Sequence, residues 1–249
     1  MSEQRPRLDP AAREAELAGW LSFDPEPPAI PCDDTSRALL GRLGIELTPD
    51  EEAAIGRYLG MLFWMNERVN LTRIDAHDAW SRHVADSLSL LAPLASVEAV
   101  ATAVDIGSGG GLPAIPLAIA RPDIRFTLVE STGKKARFLE AVAARLGLAN
   151  IEVFAGRAED LCRGARRETF DVATSRAVGA LGPLARVSVP LLRIGGLMLA
   201  IKGERAEDEA AEAKQGLYEL HAAVVGMIRC ELNTIVAIEK LRKSPAKFP

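Results

Sequence analysis

Strand-like and helical stretches alternate from about Val100 onwards, and this alternation constrains the fold more than any other feature of the chain. The apolar, strand-like runs are AVDI, RFTLVE, IEVFAG, FDVATS and LMLAIKG. The helical stretches cover residues 113–121, 134–146, 181–193 and 204–215. Such alternation implies right-handed crossover connections and gives a parallel sheet with helices on both faces.

Two further apolar runs follow the last helical stretch. AAVVGMIRC and NTIVAIEKL are separated by a short turn, which favours an antiparallel pair. We therefore predict an α/β fold whose sheet has seven strands, five of them parallel and two closing one edge.

Helices precede this core. Thr48, Pro49 and Glu51 have the pattern of a capping box, and IGRYLGMLFWMNERV continues with apolar residues at helical spacing. A second helix, HDAWSRHVADSLSLL, follows the segment NLTRI. We assign residues 36–95 to a helical N-terminal part and residues 96–249 to a Rossmann-like core.

Residues 1–35 differ from the rest of the chain. They are charged at first and then rich in proline, in the stretch DPEPPAIP, with a short helix predicted around residues 11–21. Proline-rich sequence of this kind favours an extended connector. We predict an N-terminal extension that is flexible and loosely held.

The charge balance gives little sign of a nucleic-acid binder. The formal net charge is −4, whereas nucleic-acid-binding domains usually carry a basic excess. Three local clusters depart from this balance, namely GKKAR at 133–137, RGARR at 163–167 and KLRKSPAK at 240–247. Each is also typical of a solvated helix face or a charged tail.

The cysteines and the apolar segments indicate a cellular compartment. Cys32, Cys162 and Cys230 lie far apart without ligand-like spacing, so we expect reduced, structural thiols and no metal site. No apolar run approaches the roughly 20 residues that span a bilayer, and the first residues lack a signal-peptide core. We expect a cytoplasmic protein without membrane contact.

The segment VDIGSGGGLP places a glycine-rich loop directly between a strand and a helix. Glycine allows backbone conformations and close ligand approaches that a Cβ would prevent. Gly109, Gly111 and Ala114 match the dinucleotide pattern G-x-G-x-x-A, and Glu130 lies where a ribose-binding acid belongs. An S-adenosylmethionine site needs the same parts, so the loop alone leaves both cofactors open.

Polar residues follow the other predicted strands. They are Asp105, Glu130, residues 155–160, residues 174–177 and residues 201–203. The carboxyl ends of parallel strands meet at one edge, where open α/β sheets bind their ligands. A salt bridge to Glu130 or Glu159 is the alternative role for Arg176 and Lys202.

Several motifs together resemble one family. They are NLTRI, SRHVADSL, VDIGSGGGLPAIPLAIARPD, FTLVESTGKKARFL, NIEVFAGRAED, FDVATSRAVGAL and LMLAIKG. In this order they resemble the RsmG (glucose-inhibited division B) family, and the likeness runs from about Leu39 through the basic tail EKLRKSPAKFP. The resemblance implies a class I methyltransferase fold over residues 36–249, S-adenosylmethionine as cofactor, and methylation of guanine N7 in 16S ribosomal RNA.

The resemblance also implies site residues. The cofactor-binding positions would be Gly107, Leu112, Ala158, Glu159 and Arg176, joined by Gly109 of the loop pattern and by Glu130 at the ribose position. Charge and position in the sequence, rather than the resemblance, give the candidates for substrate binding, which are Arg82, His83, Lys134 and Lys202. We predict no catalytic base, because guanine N7 already carries a free lone pair at neutral pH.

Other roles stay open at this level. Arg82 and Asp86 are spaced for an ordinary helical ion pair, which would be structural. The alternative functions are methylation of another substrate, an NAD-dependent oxidoreductase, and a cofactor-binding module without turnover. The expected partner is 16S ribosomal RNA or the small ribosomal subunit, and we favour a monomer.

Overall fold

A seven-stranded sheet forms the centre of the molecule. The structure is a computed structural model that describes residues 10–97 and 100–249. The strands are β1 Thr102–Ile106, β2 Arg125–Glu130, β3 Ile151–Ala155, β4 Phe170–Arg176, β5 Leu192–Lys202, β6 Ala222–Arg229 and β7 Thr234–Lys240.

The strand order is β3-β2-β1-β4-β5-β7-β6. The first five strands pair in parallel, and β7 runs antiparallel between β5 and β6. The predicted sheet of five parallel strands and an antiparallel edge pair is therefore confirmed. The order reverses between β1 and β4, and this switch point is where sheets of this type bind ligands.

Helices cover both faces of the sheet. They are α1 Pro10–Leu21, α2 Asp34–Arg42, α3 Pro49–Asn66, α4 Asp86–Leu88, α5 Leu91–Ala95, α6 Ala114–Ala120, α7 Gly133–Leu146, α8 Ala158–Arg163, α9 Leu181–Ser188 and α10 Ala206–Glu219. Neighbouring strand residues face opposite layers: Ala103 packs with the N-terminal helices, α6 and α7, while Val104 packs with α8, α9 and α10. No helix in the described ranges is long and apolar enough to cross a membrane.

The capping box predicted at the start of α3 is present. The Thr48 hydroxyl accepts from the Glu51 backbone N–H, and the Glu51 carboxylate accepts from the Thr48 backbone N–H. Other boundaries differ from the prediction. The helix predicted over 181–193 ends at Ser188, because Pro190 cannot continue a helical hydrogen-bond ladder. The short helix α8 was not predicted at all.

The second predicted helix is irregular. It consists of a 3-10 turn over Ala76–Asp78, a π-helical turn over Trp80–Ala85, and α4. The Ser87 hydroxyl donates to the His83 carbonyl at 2.6 Å, a side-chain bond that competes with the regular ladder. The π-helical turn carries Arg82 and His83, two of the residues predicted to bind the substrate.

The prediction of a loosely held N-terminal extension is wrong for its later part. The extended segment 23–32, here called the strap, lies across α3. Phe23 is buried and packs edge-to-face on Phe138 of α7, with ring centroids 6.4 Å apart. The Ile30 N–H donates to the Gly56 carbonyl at 3.0 Å, and Trp80 Nε1 donates to the Ile30 carbonyl at 2.9 Å. Residues 1–9 of the extension lie outside the described residues.

Two glycines of α3 allow this close approach. A Cβ built on Gly56 would lie 3.0 Å from the Ile30 carbonyl oxygen, and one on Gly60 would lie 2.4 Å from that of Pro28. Gly56 and Gly60, one helical turn apart, therefore form a notch that admits the strap backbone. The proline-rich composition correctly predicts an extended segment. It does not predict that this segment packs against the two glycines of α3.

We expect Gly60→Ala to destabilise the protein by about 1–3 kcal/mol, because the methyl group would overlap the strap backbone. Gly216→Ala in α10 is the matched control, since a Cβ there would meet nothing within 4 Å. That substitution should stabilise the protein by roughly 0.5–1 kcal/mol through helix propensity. Urea unfolding measures both free energies, and a Gly60→Ala protein as stable as the parent would contradict the notch.

Candidate functional site

The loop after β1 has a backbone that only glycine adopts readily. Gly107, Gly109 and Gly111 have φ angles of +71°, +56° and +96°. The N–H groups of Gly107 and Ser108 donate to the Val129 carbonyl at 3.0 and 3.1 Å, which fixes the loop over the end of β2. Gly107 is exposed, so its backbone is accessible to a ligand.

The helical N-terminal part supports this loop from below. The buried Tyr58 hydroxyl of α3 donates to the Gly110 carbonyl at 2.8 Å. A Cβ on Gly110 would lie 2.8 Å from a Leu62 methyl group, so α3 and the loop are in close contact. The conformation of the loop thus depends on α3 as well as on the sheet.

Glu130 ends β2 and ties the loop to it. Its carboxylate accepts from the Gly109 N–H at 3.0 Å and from the Thr132 N–H at 2.7 Å. The side chain is largely buried. Each carboxylate oxygen can accept two hydrogen bonds, so Glu130 can still accept from the hydroxyl groups of a ribose.

Asp105 lies under the loop at the switch point. It is fully buried, and its Oδ1 accepts from the Thr174 hydroxyl at 2.8 Å. Its Oδ2 has no hydrogen-bond partner among the described residues. Burial raises the pKa of Asp105 to about 7. An unpartnered buried oxygen is costly, and its position fits a site completed by a polar ligand.

Arg176 ends β4 and reaches the helical part. Its Nη1 donates to the Arg82 carbonyl at 2.8 Å and to Asp86 Oδ2 at 3.0 Å, and its Nη2 donates to His83 Nδ1 at 2.8 Å. The ion pairs considered from sequence, Arg176 with Glu130 or Glu159 and Arg82 with Asp86, are therefore wrong. Asp86, the residue directly after the π-helical turn, pairs with Arg176 at the end of β4 instead.

The tautomer of His83 follows from its neighbours. Arginine can only donate, so Nδ1 accepts and Nε2 carries the proton, which it donates to the Thr72 hydroxyl at 2.8 Å. Burial and the Arg176 charge lower the pKa of His83 to about 3. The ring is only 1% exposed, so this neutral imidazole positions Arg176 and is not placed to meet an RNA phosphate.

A pocket opens beside Arg176, over the carboxyl ends of β4 and β5 and the turn between β6 and β7. Its volume is about 300 Å³. The polar side chains that line this rim pocket are Arg82, Asp86, Arg176, Lys202 and Asn233. The glycine loop and Glu130 lie over β1 and β2, so the site has two halves that meet at Arg176.

The predicted substrate residues differ in accessibility. Lys202 is buried, and its Nζ pairs with Glu209 at 2.9 Å and donates to the Gly179 carbonyl at 2.7 Å. Lys202 therefore fixes the segment after β4 to α10. Arg82 and Lys134 are exposed and form no ion pair within the described part of the chain.

The remaining predicted residues reach the same edge. Gly107, Gly109 and Leu112 belong to the loop, and Ala158 and Glu159 begin α8 just after β3. Sequence reasoning missed Tyr58, Thr72 and Asn233. NLTRI contains Thr72 and was a usable signal, whereas Tyr58 and Asn233 lie in stretches that indicated only a helix and a turn.

Two basic clusters lie at the opposite edge of the sheet. Arg167 donates to the carbonyls of Ser244, Pro245, Phe248 and Pro249, which holds the C-terminal segment near the start of β4. Lys240 is buried and pairs with Glu168 at 2.9 Å. The clusters at 163–167 and 240–247 are therefore remote from the glycine loop.

We expect the His83 ring to stay neutral between pH 8 and pH 5, with the proton on Nε2, because protonation of Nδ1 would oppose the Arg176 charge. Ring ¹⁵N chemical shifts measure this, and the His83→Gln spectrum assigns the signal among three histidines. The unfolded state binds a proton near pH 6.5, so the contribution of His83 to stability falls as the pH drops from that value towards 3. A His83 signal that titrates near pH 6.5 would contradict this network.

Comparison with known proteins agrees with this architecture. A family model described as GidB, rRNA small subunit methyltransferase G, matches residues 51–235. A ribosomal RNA small subunit methyltransferase G of Sorangium cellulosum is 48% identical over 211 residues, which cover 84% of this chain and 88% of that relative. One from Moorella thermoacetica is 39% identical over 214 residues, which cover 83% and 89%.

Solved structures show the same fold at low identity. The O-methyltransferase TomG from Streptomyces achromogenes, solved with SAM, has a TM-score of 0.55 at 16% identity over 84% of this chain and 97% of its own. A SAM-dependent methyltransferase from Aquifex aeolicus has a TM-score of 0.53 at 13% identity over 66% and 93%. These two establish the class I methyltransferase fold, and the sequence matches establish the family: the chain belongs to the GidB family, rRNA small subunit methyltransferase G.

Proposed function

We propose that this protein uses S-adenosylmethionine to methylate N7 of a guanine in 16S ribosomal RNA. The observation that carries the proposal is the division of the site at Arg176: a glycine loop with a ribose-type acid over β1 and β2, and a separate pocket over β4 and β5. An oxidoreductase would match the G-x-G-x-x-A pattern, but family membership favours the methyltransferase.

The residues of the first half fit the cofactor. We propose that Gly107, Gly109 and Leu112 of the loop would contact it, together with Glu130, Ala158, Glu159 and Arg176. The Glu130 carboxylate would accept from ribose hydroxyls, and Ala158 and Glu159, after β3, would meet the adenine. Exposed backbone at Gly107 and the unpartnered Asp105 Oδ2 are compatible with a polar molecule in this place.

The reaction requires the protein mainly to hold the methyl donor and the guanine in the correct relative orientation. S-adenosylmethionine supplies a methyl group on a positively charged sulfur, and guanine N7 offers an in-plane lone pair to it. No proton leaves N7, so no general base is needed, and orientation supplies most of the acceleration. The neutral His83 fits this requirement, since it holds Arg176 without taking part in proton transfer. On the same chemical ground we propose a metal-independent reaction. We also propose, from membership of a family named for ribosomal RNA methylation, that the protein acts in the cytoplasm, and we propose that it acts as a monomer.

The function is tested by incubating the protein with labelled S-adenosylmethionine and small ribosomal subunits from cells that lack the enzyme. We expect label in the 16S RNA and 7-methylguanosine at one position after digestion and mapping. Naked 16S RNA in a parallel reaction shows which assembly state is used. Cofactor binding in a calorimetric titration without any label in RNA would refute the proposal.

We expect Arg82→Ala to weaken binding to the small subunit and to lower the salt dependence of log K by about one unit of slope, the loss of one phosphate contact. Arg82 lies at the mouth of the rim pocket. Arg242→Ala is the matched control, because Arg242 is exposed at the opposite edge of the sheet. Equal effects of the two substitutions would contradict this placement of the RNA.

A further inference from the structure

The rim pocket contains a carboxylate beside apolar walls. The Asp86 side chain is 14% exposed and faces the pocket between Arg176 and Asn233. Asp86 Oδ2 accepts from Arg176 Nη1 at 3.0 Å, and Asp86 Oδ1 accepts from Asn233 Nδ2 at 2.6 Å. Each oxygen accepts only this one bond among the described residues, and a carboxylate oxygen can accept two.

The carboxylate is held in a fixed orientation. Asn233 also donates to the Ser89 hydroxyl at 3.2 Å, and Arg176 is held by His83 and by the Arg82 carbonyl. Two hydrogen-bond donors, a charged guanidinium and a neutral amide, thus hold the Asp86 carboxylate from two sides. Such an arrangement preserves the direction of the remaining lone pairs when a ligand enters.

The walls of the pocket suit a flat ring. Ile74, Ile201 and Leu232 line it, and Leu232 is 39% exposed although it is apolar. Enzymes that modify a base within RNA or DNA take it out of its stack and hold it between apolar or aromatic side chains. A partly exposed leucine in the wall of a pocket that also contains a nearly buried carboxylate is consistent with this use.

Guanine presents complementary groups to such a carboxylate. Its N1–H and its N2 amino group are adjacent, parallel donors, whereas N7 and O6 lie on another edge of the ring and are acceptors. Adenine has an acceptor at N1, which would face the acceptor oxygens of Asp86 and could not form a hydrogen bond with them. A guanine bound through N1–H and N2–H would direct N7, on the other side of the ring, away from Asp86 and leave it free for methyl transfer.

We propose that Asp86, oriented by Asn233 and Arg176, accepts hydrogen bonds from N1–H and N2–H of the target guanine and so selects guanine in the rim pocket. This inference rests on the proposed function, because it names the residue that recognises the methylated base. Asp86 acts as a specificity determinant here, and the pocket of Ile74, Ile201 and Leu232 encloses the ring.

The test compares guanine with inosine at the methylated position, in small subunits reconstituted from ligated RNA. Inosine keeps N7 and O6 but lacks the N2 amino group. We expect the wild-type protein to methylate the guanine particle about tenfold to a hundredfold faster in kcat/KM, the value of one hydrogen bond to a charged acceptor. A ratio near one in the wild type would overturn the proposal without any variant.

Variants then assign the discrimination to Asp86. Asp86→Leu should bring the guanine-to-inosine ratio to about one, whatever the loss of overall rate. Arg82→Ala is the matched control: it removes a basic side chain from the same pocket but keeps the Arg82 carbonyl that holds Arg176, so both rates should fall together and the ratio should stay at the wild-type value. An undiminished ratio in Asp86→Leu would refute the role of Asp86.

Two safeguards keep the result decisive. Far-UV circular dichroism and urea unfolding check that each variant is folded, and Asp86→Asn, which is isosteric, replaces Asp86→Leu if that protein does not fold or has no measurable rate. The amide has lost the charge and one acceptor, so its ratio should fall several-fold, and an unchanged ratio again refutes the proposal. Absence of methylation of the guanine particle by the wild type would instead refute the proposed function itself.

Discussion

The ion pair between Arg176 and Asp86 is the interaction on which the site depends. Both side chains are nearly buried, at 13% and 14% exposed, and each has further hydrogen-bond partners that offset the cost of desolvation. Arg176 belongs to the sheet and Asp86 to the helical layer. The pair joins these two layers at the end of β4, between the glycine loop and the rim pocket, where we propose that the methyl group is transferred.

The sheet could be predicted because its signals are local. Strand and helix periodicities alternate along the chain, and the capping box at Thr48 and the glycine loop after β1 are short motifs with a single structural meaning. The predictions of secondary structure and packing failed where a short-range pattern is absent or where residues distant in the sequence determine the structure. Pro190 ended a helix early, α8 is too short to show periodicity, and the strap depends on glycines that lie more than twenty residues further along the chain.

The edge that carries the site was also predictable, but the state of its side chains was not. Parallel strands bring their carboxyl ends together whatever the details of packing. The partner of a charged side chain, in contrast, comes from anywhere in the sequence: Arg145 pairs with Glu26, and Arg42 pairs with Glu231. Sequence reasoning therefore could not tell that Lys202 was already paired while Arg82 was exposed.

The strap makes two separate parts of the sequence depend on each other. It lies before residues 51–235, which the family model matches, yet it occupies a notch at Gly56 and Gly60 within them. A segment outside the matched range thereby imposes a constraint inside it. In this chain the strap and the two glycines depend on each other: a side chain at either position would displace the strap backbone, and without the strap neither position would require glycine.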